Sequence, residues 1–291
     1  MKRRSEAGNR VVALTPCRRN PSDAFRAKAA VLVSTVTLAI VCAGCAAVRR
    51  GGAPLPPSAL PAAAQLEAVL TTRREAVRSL RALAQVHYRD PEESNSSREA
   101  IVVARPDRLR VEVMSLFGAV FVLTADDGAL TAYARQENTV YRGQASPENL
   151  WRYVRLSLPV NELVDIVLGT PPVRQRQRAQ VSFDAQAGAV RLWQDLAHGA
   201  LIVWFSESEL PMAAEERGAD GQPEWHATFG EYEEQNGFPV ATRIGLELPM
   251  WHRWLEMKLE DVDLNPALDG SVFALQTPPG SKVVTLDPVA D

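Results

Sequence analysis

The residues able to do acid–base, nucleophilic or metal chemistry are few and scattered in this chain of 291 residues. Its four histidines, His87, His198, His226 and His252, lie in separate segments, without the His-x-His or His-x-x-x-His spacing that would hold a metal. No Gly-x-Ser-x-Gly elbow, Gly-rich phosphate loop or dinucleotide fingerprint occurs. The acid pairs Asp126/Asp127 and Glu233/Glu234 fall in turn-like stretches, where carboxylates are solvated. Cysteine is confined to Cys17, Cys42 and Cys45. The long remainder therefore holds no disulfide, no Cys-ligated metal and no thiol nucleophile. These observations argue against an enzyme and call for no cofactor.

Cys45 is the exception, because its neighbours suggest a chemistry done to it. An uncharged run from Ala29 to Val48 has about the ~20 residues needed to cross a bilayer, so a permanent anchor is one reading. The other is a lipoprotein signal peptide, in which small residues precede a cysteine that is lipidated and becomes the new N-terminus. Ala43 and Gly44 stand directly before Cys45, which fits, although Cys42 occupies a position where leucine is usual. Residues 1–44 carry eight Lys/Arg and two acids, as the head of an export signal does. We expect a signal peptide over 1–44, lipidation at Cys45 and a flexible Pro/Gly/Ala-rich tether over 45–61. Without that head, 24 basic residues face 33 acidic ones. An acidic domain lacks the basic footprint that nucleic acid requires.

The elements after the tether are mostly strands. Leu66, Val69, Leu70, Val77 and Leu80 recur at helical spacing and predict an amphipathic helix from Ala62 to about Leu80. Period-two segments then take over. In "RLRVEVM", Leu109, Val111 and Val113 face one way and the charged residues the other. Two short helices interrupt, "SPENLWRYV" with Ser146 as N-cap and "PVNELVDIVLG" closing at Gly169. Strands resume from "QVSFDAQ" to "RWLEMKLEDVDLN". The fold class is mainly β with a few helices (α+β), with one domain over 62–291. An antiparallel sheet of ten or more strands curls or closes.

Apolar surplus is what the sequence offers in place of a catalytic set. Leu163, Ile166 and Val167 on the second short helix, Trp151 on the first and Trp204 in "ALIVWF" are candidates to line a cavity between sheet and helices. The competing reading is an ordinary filled core. A cavity of that kind would take acyl chains, at ~0.8 kcal/mol for each buried CH₂. In "EVMSLFGAVFVL" two strands are joined through Leu116 and Phe117, at a tip where polar turn residues are the norm. Either this pair folds back onto the sheet or it enters a membrane.

The stretches "LRVEVMSLFGAVFVLTADDGALTAY", "LPVNELVDIVLGTPP", "WHATFGEYEEQNGFPVATRIGLELP" and "LEMKLEDVDLN" together resemble the LolB family of outer-membrane lipoprotein receptors. More loosely they are similar to the LolA/LolB-like superfamily, DUF4292-type lipoproteins included. The likeness runs from about Leu60 to Pro279. It implies an open antiparallel half-barrel with helices over its concave face, enclosing an apolar cavity for lipoprotein acyl chains. It also implies a LolA-like periplasmic carrier as partner and a protruding apolar loop, with Phe117 in the place of the family's leucine. Ala46 after Cys45, where Asp would signal inner-membrane retention, implies the outer membrane, facing the periplasm. A monomer without cofactors is expected. A lipid or glycolipid carrier, or a scaffolding lipoprotein with a filled core, are the alternatives.

Overall fold

The computed structural model describes residues 59–154 and 156–287, so the segment 1–44, Cys45 and most of the tether lie outside the described residues. Chain order begins with α1 (Ala63–Ala76). It continues through β1 (Ser79–Arg89), β2 (Ser94–Ala104), β3 (Arg108–Ser115), β4 (Gly118–Asp126), β5 (Ala129–Ala134) and β6 (Thr139–Gln144). Two helices follow, α2 (Pro147–Val154) and α3 (Val160–Val167). A second run comprises β7 (Arg178–Asp184), β8 (Ala189–Leu196), β9 (Gly199–Phe205), β10 (Pro211–Arg217), β11 (Pro223–Gln235), β12 (Phe238–Leu248) and β13 (Arg253–Leu264). A short β14 (Lys282–Thr285) ends the described chain.

The fourteen strands among the described residues share one open sheet, in the order β14-β6-β5-β4-β3-β2-β1-β13-β12-β11-β10-β9-β8-β7. Two antiparallel meanders are joined where β1 pairs with β13, and β14 alone runs parallel to its neighbour, β6. The period-two pattern produces this directly. In β1, Leu80, Ala82, Ala84 and Val86 are buried on the inner face while Arg81, Gln85 and His87 are exposed. Register shifts at Arg81/Leu83, Val113/Met114, Pro211/Ala213 and Glu216/Arg217 bend the strands they interrupt.

The route of the chain puts the helices on the inner face. β6 and β7 lie near opposite edges, so residues 145–177 must cross from one meander to the other. They cross as α2 and α3, with α3 against β2 and β3. Leu150, Leu158, Val160, Val164 and Ile166 are buried in the crossing. Burial of a side chain of this size contributes ~1.5–3 kcal/mol. Ser146 caps α2, its Oγ accepting the Asn149 N–H at 3.2 Å. Past α3, Gly169 adopts φ +67°, and a Cβ there would come within 3.1 Å of the Ala241 side chain. Glycine is required twice over, by backbone sign and by close approach.

One boundary differs from the sequence pattern. α1 stops at Ala76 rather than continuing to Leu80, and Val77 is already extended. The cause is tertiary. Asn265, at the end of β13, accepts the N–H groups of Arg78 and Ser79 at 2.9 and 3.1 Å and donates to the Ala76 carbonyl at 2.7 Å. Val77 and Leu80 are buried, but from outside the helix. Glu233 and Glu234 also differ, both exposed within β11 rather than in a turn.

Candidate functional site

The inner faces of β1–β4, β12 and β13, together with α2, α3 and the segment after α2, enclose a cavity of about 280 Å³. Strand alternation supplies its floor: Ile101 from β2, Val111 and Val113 from β3, Phe121 from β4, Leu246 from β12 and Met257 from β13. Leu163 and Val167, one helical turn apart on α3, form the roof. Tyr153 of α2 closes one flank, stacked against Phe121 at 5.9 Å and tilted on Tyr141 at 5.4 Å. Burial pushes the Tyr153 phenol up to about 12, so this wall is neutral at physiological pH. Glu93, Ser97 and Glu99 are the polar contributions besides tyrosine, and among the described lining residues there is no Arg, Lys or His.

Three of the sequence-predicted lining residues lie elsewhere. Ile166 is fully buried, packed in solid core one position round the helix from Val167. Trp151 lies in an aromatic stack outside the cavity, 5.1 Å from Trp251 with the Arg253 guanidinium 3.8 Å from its ring. Trp204 has opposite strand parity from Leu201, Val203 and Phe205. That places it on the other face, where its indole N–H donates to Asp184 at 3.0 Å and its ring meets His226 edge-on. An indole N–H needs an acceptor, and the apolar face has none to offer. The floor residues Val111, Val113 and Met257 were visible as alternating positions. Periodicity alone, however, does not say which face of a strand borders empty space.

The α3 roof is held by charge. Asp165, 2% exposed, receives the guanidinium groups of Arg74 from α1 and Arg105 from the end of β2. Arg105 also donates to the Val77 carbonyl at 2.9 Å and to the Thr170 hydroxyl. Burial, and then the neighbouring Arg74 cation, bring Arg105 down to about 9, which leaves it charged at neutral pH. A second cavity, of about 500 Å³, lies between α1 and β7–β9, where Leu60 and Pro61 meet Phe183, Val190 and Phe205. Its rim carries Gln65, Glu207 and Glu209 and is more polar.

The β3–β4 tip projects outward. Leu116 is 99% and Phe117 88% exposed. Its backbone is satisfied locally: Ser115 Oγ donates to the Gly118 carbonyl and accepts the Phe117 N–H, and Arg135 donates to the Phe117 carbonyl at 3.1 Å. Gly118 turns the chain at φ +96°. Strand register puts this tip at the same end of the sheet as the β12–β13 turn, where Met250 and Trp251 are also exposed. Among the described residues, no cluster of three or more His, Cys, Asp or Glu is placed to hold a metal. No described helix is long and apolar enough to cross a membrane.

A family model described as outer membrane lipoprotein LolB matches residues 81–260, from β1 through most of β13. The chain belongs to the LolB family. The match includes every strand and helix around the cavity and the β3–β4 tip, and leaves out α1, β14 and the chain beyond Glu260. Among solved structures, a LolA superfamily protein from Nitrosomonas europaea superposes with a TM-score of 0.51 at 13% identity, covering 72% of this chain and 97% of its own. A DUF1329 family protein from Desulfovibrio piger gives a TM-score of 0.50 at 10% identity, covering 73% and 95%. At such identities the shared property is the fold. No curated protein matches the chain. LolB membership supports a role in lipoprotein localisation or lipid binding.

Proposed function

We propose that this LolB-family chain is an outer-membrane lipoprotein facing the periplasm, which takes lipoprotein acyl chains into the cavity beneath α3 and passes them to the membrane. Residues 1–44 act as the signal peptide, Cys45 carries the lipid anchor, and 45–61 tether the domain of 62–291. A LolA-like periplasmic carrier supplies the cargo, the protein acts as a monomer, and transfer runs down an affinity gradient with no bond broken. The observation that carries this reading is the pairing of an apolar cavity with a rigidly braced tip whose two large apolar side chains stand in solvent. Exposed apolar side chains at a hairpin tip have no folding role to explain them, whereas a bilayer would bury them.

Two experiments test it. Phe117→Glu puts a charge where the tip would meet hydrocarbon, and delivery of a test lipoprotein to membranes is expected to fall severalfold. Wild-type delivery by that variant would sink the role of the tip. Mass spectrometry of lipid co-purifying with the protein tests the cargo. Acylated peptides support lipoprotein transfer, and glycerolipids or glycolipids in their place redirect the cavity to lipid carriage.

A further inference from the structure

One ionisable side chain points into the acyl cavity from mid-strand. Glu99 lies on β2 between Ala84 of β1 and Val113 of β3, on the face that carries Ser97 and Ile101. Strand parity fixes it there, since a shift of one residue would turn Ile101 and Val103 outward with it. Ser97 Oγ donates to Glu99 Oε1 at 2.7 Å. Among the described lining residues the remaining titratable groups are Glu93, Tyr88 and Tyr153, none of which carries positive charge. The Tyr88 hydroxyl is directed to Asp90, at 2.8 Å. A filled core would have no use for a carboxyl here, and a cavity for bare hydrocarbon would be weakened by one.

We propose that Glu99 and Ser97 form a polar subsite in the cavity wall that takes the secondary amide of an N-acylated ligand and turns away anionic head groups. The inference rests on the acyl-binding reading above and names the linkage that the cavity prefers. A carboxylate accepts the amide N–H, and a protonated carboxyl accepts the N–H while donating to the amide carbonyl. An amide therefore pairs with Glu99 in either protonation state. An ester offers acceptors only and pairs with the acid form alone. When Glu99 is ionised, a carboxylate or phosphate head meets a like charge, and no cation among the described lining residues offsets it. Burial holds the Glu99 carboxyl above the usual range against the smaller opposing effect of Ser97, in keeping with a site that a neutral dipole completes.

The test uses the full chain in phospholipid nanodiscs with photoreactive hexadecanoyl probes that differ only in the head: an N-acyl ethanolamide, an N-acylated dipeptide amide, a methyl ester and a free carboxylate. Labelling of peptides bearing Val113 and Met257 is quantified by mass spectrometry. The amides are expected to label about tenfold more than the carboxylate. Glu99→Leu should bring the amides down to the level of the ester. Glu99→Gln, which keeps a hydrogen-bonding head without charge, should hold amide labelling and raise that of the carboxylate. Stronger labelling by the dipeptide than by the ethanolamide assigns the amide to an acylated protein terminus, and the reverse assigns it to a lipid. An amide-to-carboxylate ratio that is the same in wild type and Glu99→Leu overturns the subsite while leaving acyl binding intact. Absence of cavity labelling by every probe in the wild type overturns the acyl-binding reading and the subsite with it.

Discussion

Glu99 and Phe117 break the pattern of their surroundings in opposite directions, one a carboxyl facing inward and the other an aromatic ring facing out. Each has a consequence that can be measured. Because burial raises the native Glu99 carboxyl, the folded protein binds that proton more tightly than the unfolded chain does. The contribution of Glu99 to stability is then fully present at low pH and is lost as pH rises through a window that opens at the unfolded value, about 4.3. Glu99→Gln is expected to raise the thermal midpoint at neutral pH and to give no gain near pH ~3. Differential scanning calorimetry at the two pH values checks this, and an equal gain at both would mean that the charge is not the cause. The facing of Glu99 was not legible in the sequence, because Ile101, Val102, Val103 and Ala104 form an unbroken apolar run that is buried on both faces. That Glu99 borders a cavity rather than solvent depends on α3, which arrives from elsewhere in the chain.

At the scale of elements, the most deeply buried anchor of the roof helix is the Asp165 carboxylate. Asp165→Asn removes the charge between Arg74 and Arg105 and leaves two cations crowded beside a buried amide. A loss of about 3 kcal/mol is expected from breaking a buried ion pair by removing one partner, read as a lower urea midpoint. Gly169→Ala is expected to cost about 1–2 kcal/mol, since the strained φ and the Ala241 contact both oppose the added methyl. The two short helices could be read from Ser146, Pro147 and Gly169, whose roles are local. The end of α1 could not, because Asn265 caps it from nearly two hundred residues away. Trp151 and Trp204 show the same limit. Their size and hydrophobicity suggested lining positions, but Arg253 and Asp184 hold them elsewhere.

For the whole molecule, the decisive junction is the pairing of β1 with β13, which fuses two meanders into one open sheet and lets one helical crossing roof both. A space enclosed by so many elements should be fillable without unfolding the protein. Val113→Trp places an indole in the 280 Å³ cavity, and acyl-probe labelling is expected to drop severalfold while urea unfolding stays cooperative. Unchanged labelling would show that acyl chains bind somewhere else. By itself the sequence determined the alternation of the strands, the two short helices, the apolar tip and the likeness to LolB. Each of these is written in contiguous residues, as a period of two, a cap or a run of similar chemistry. Only the tertiary structure decided that Leu163 and Val167 rather than Trp151, Ile166 and Trp204 face the cavity, and that Glu99 stands inside it. Which face of a strand borders a void is set by the distant element packed over it, and no local period carries that information.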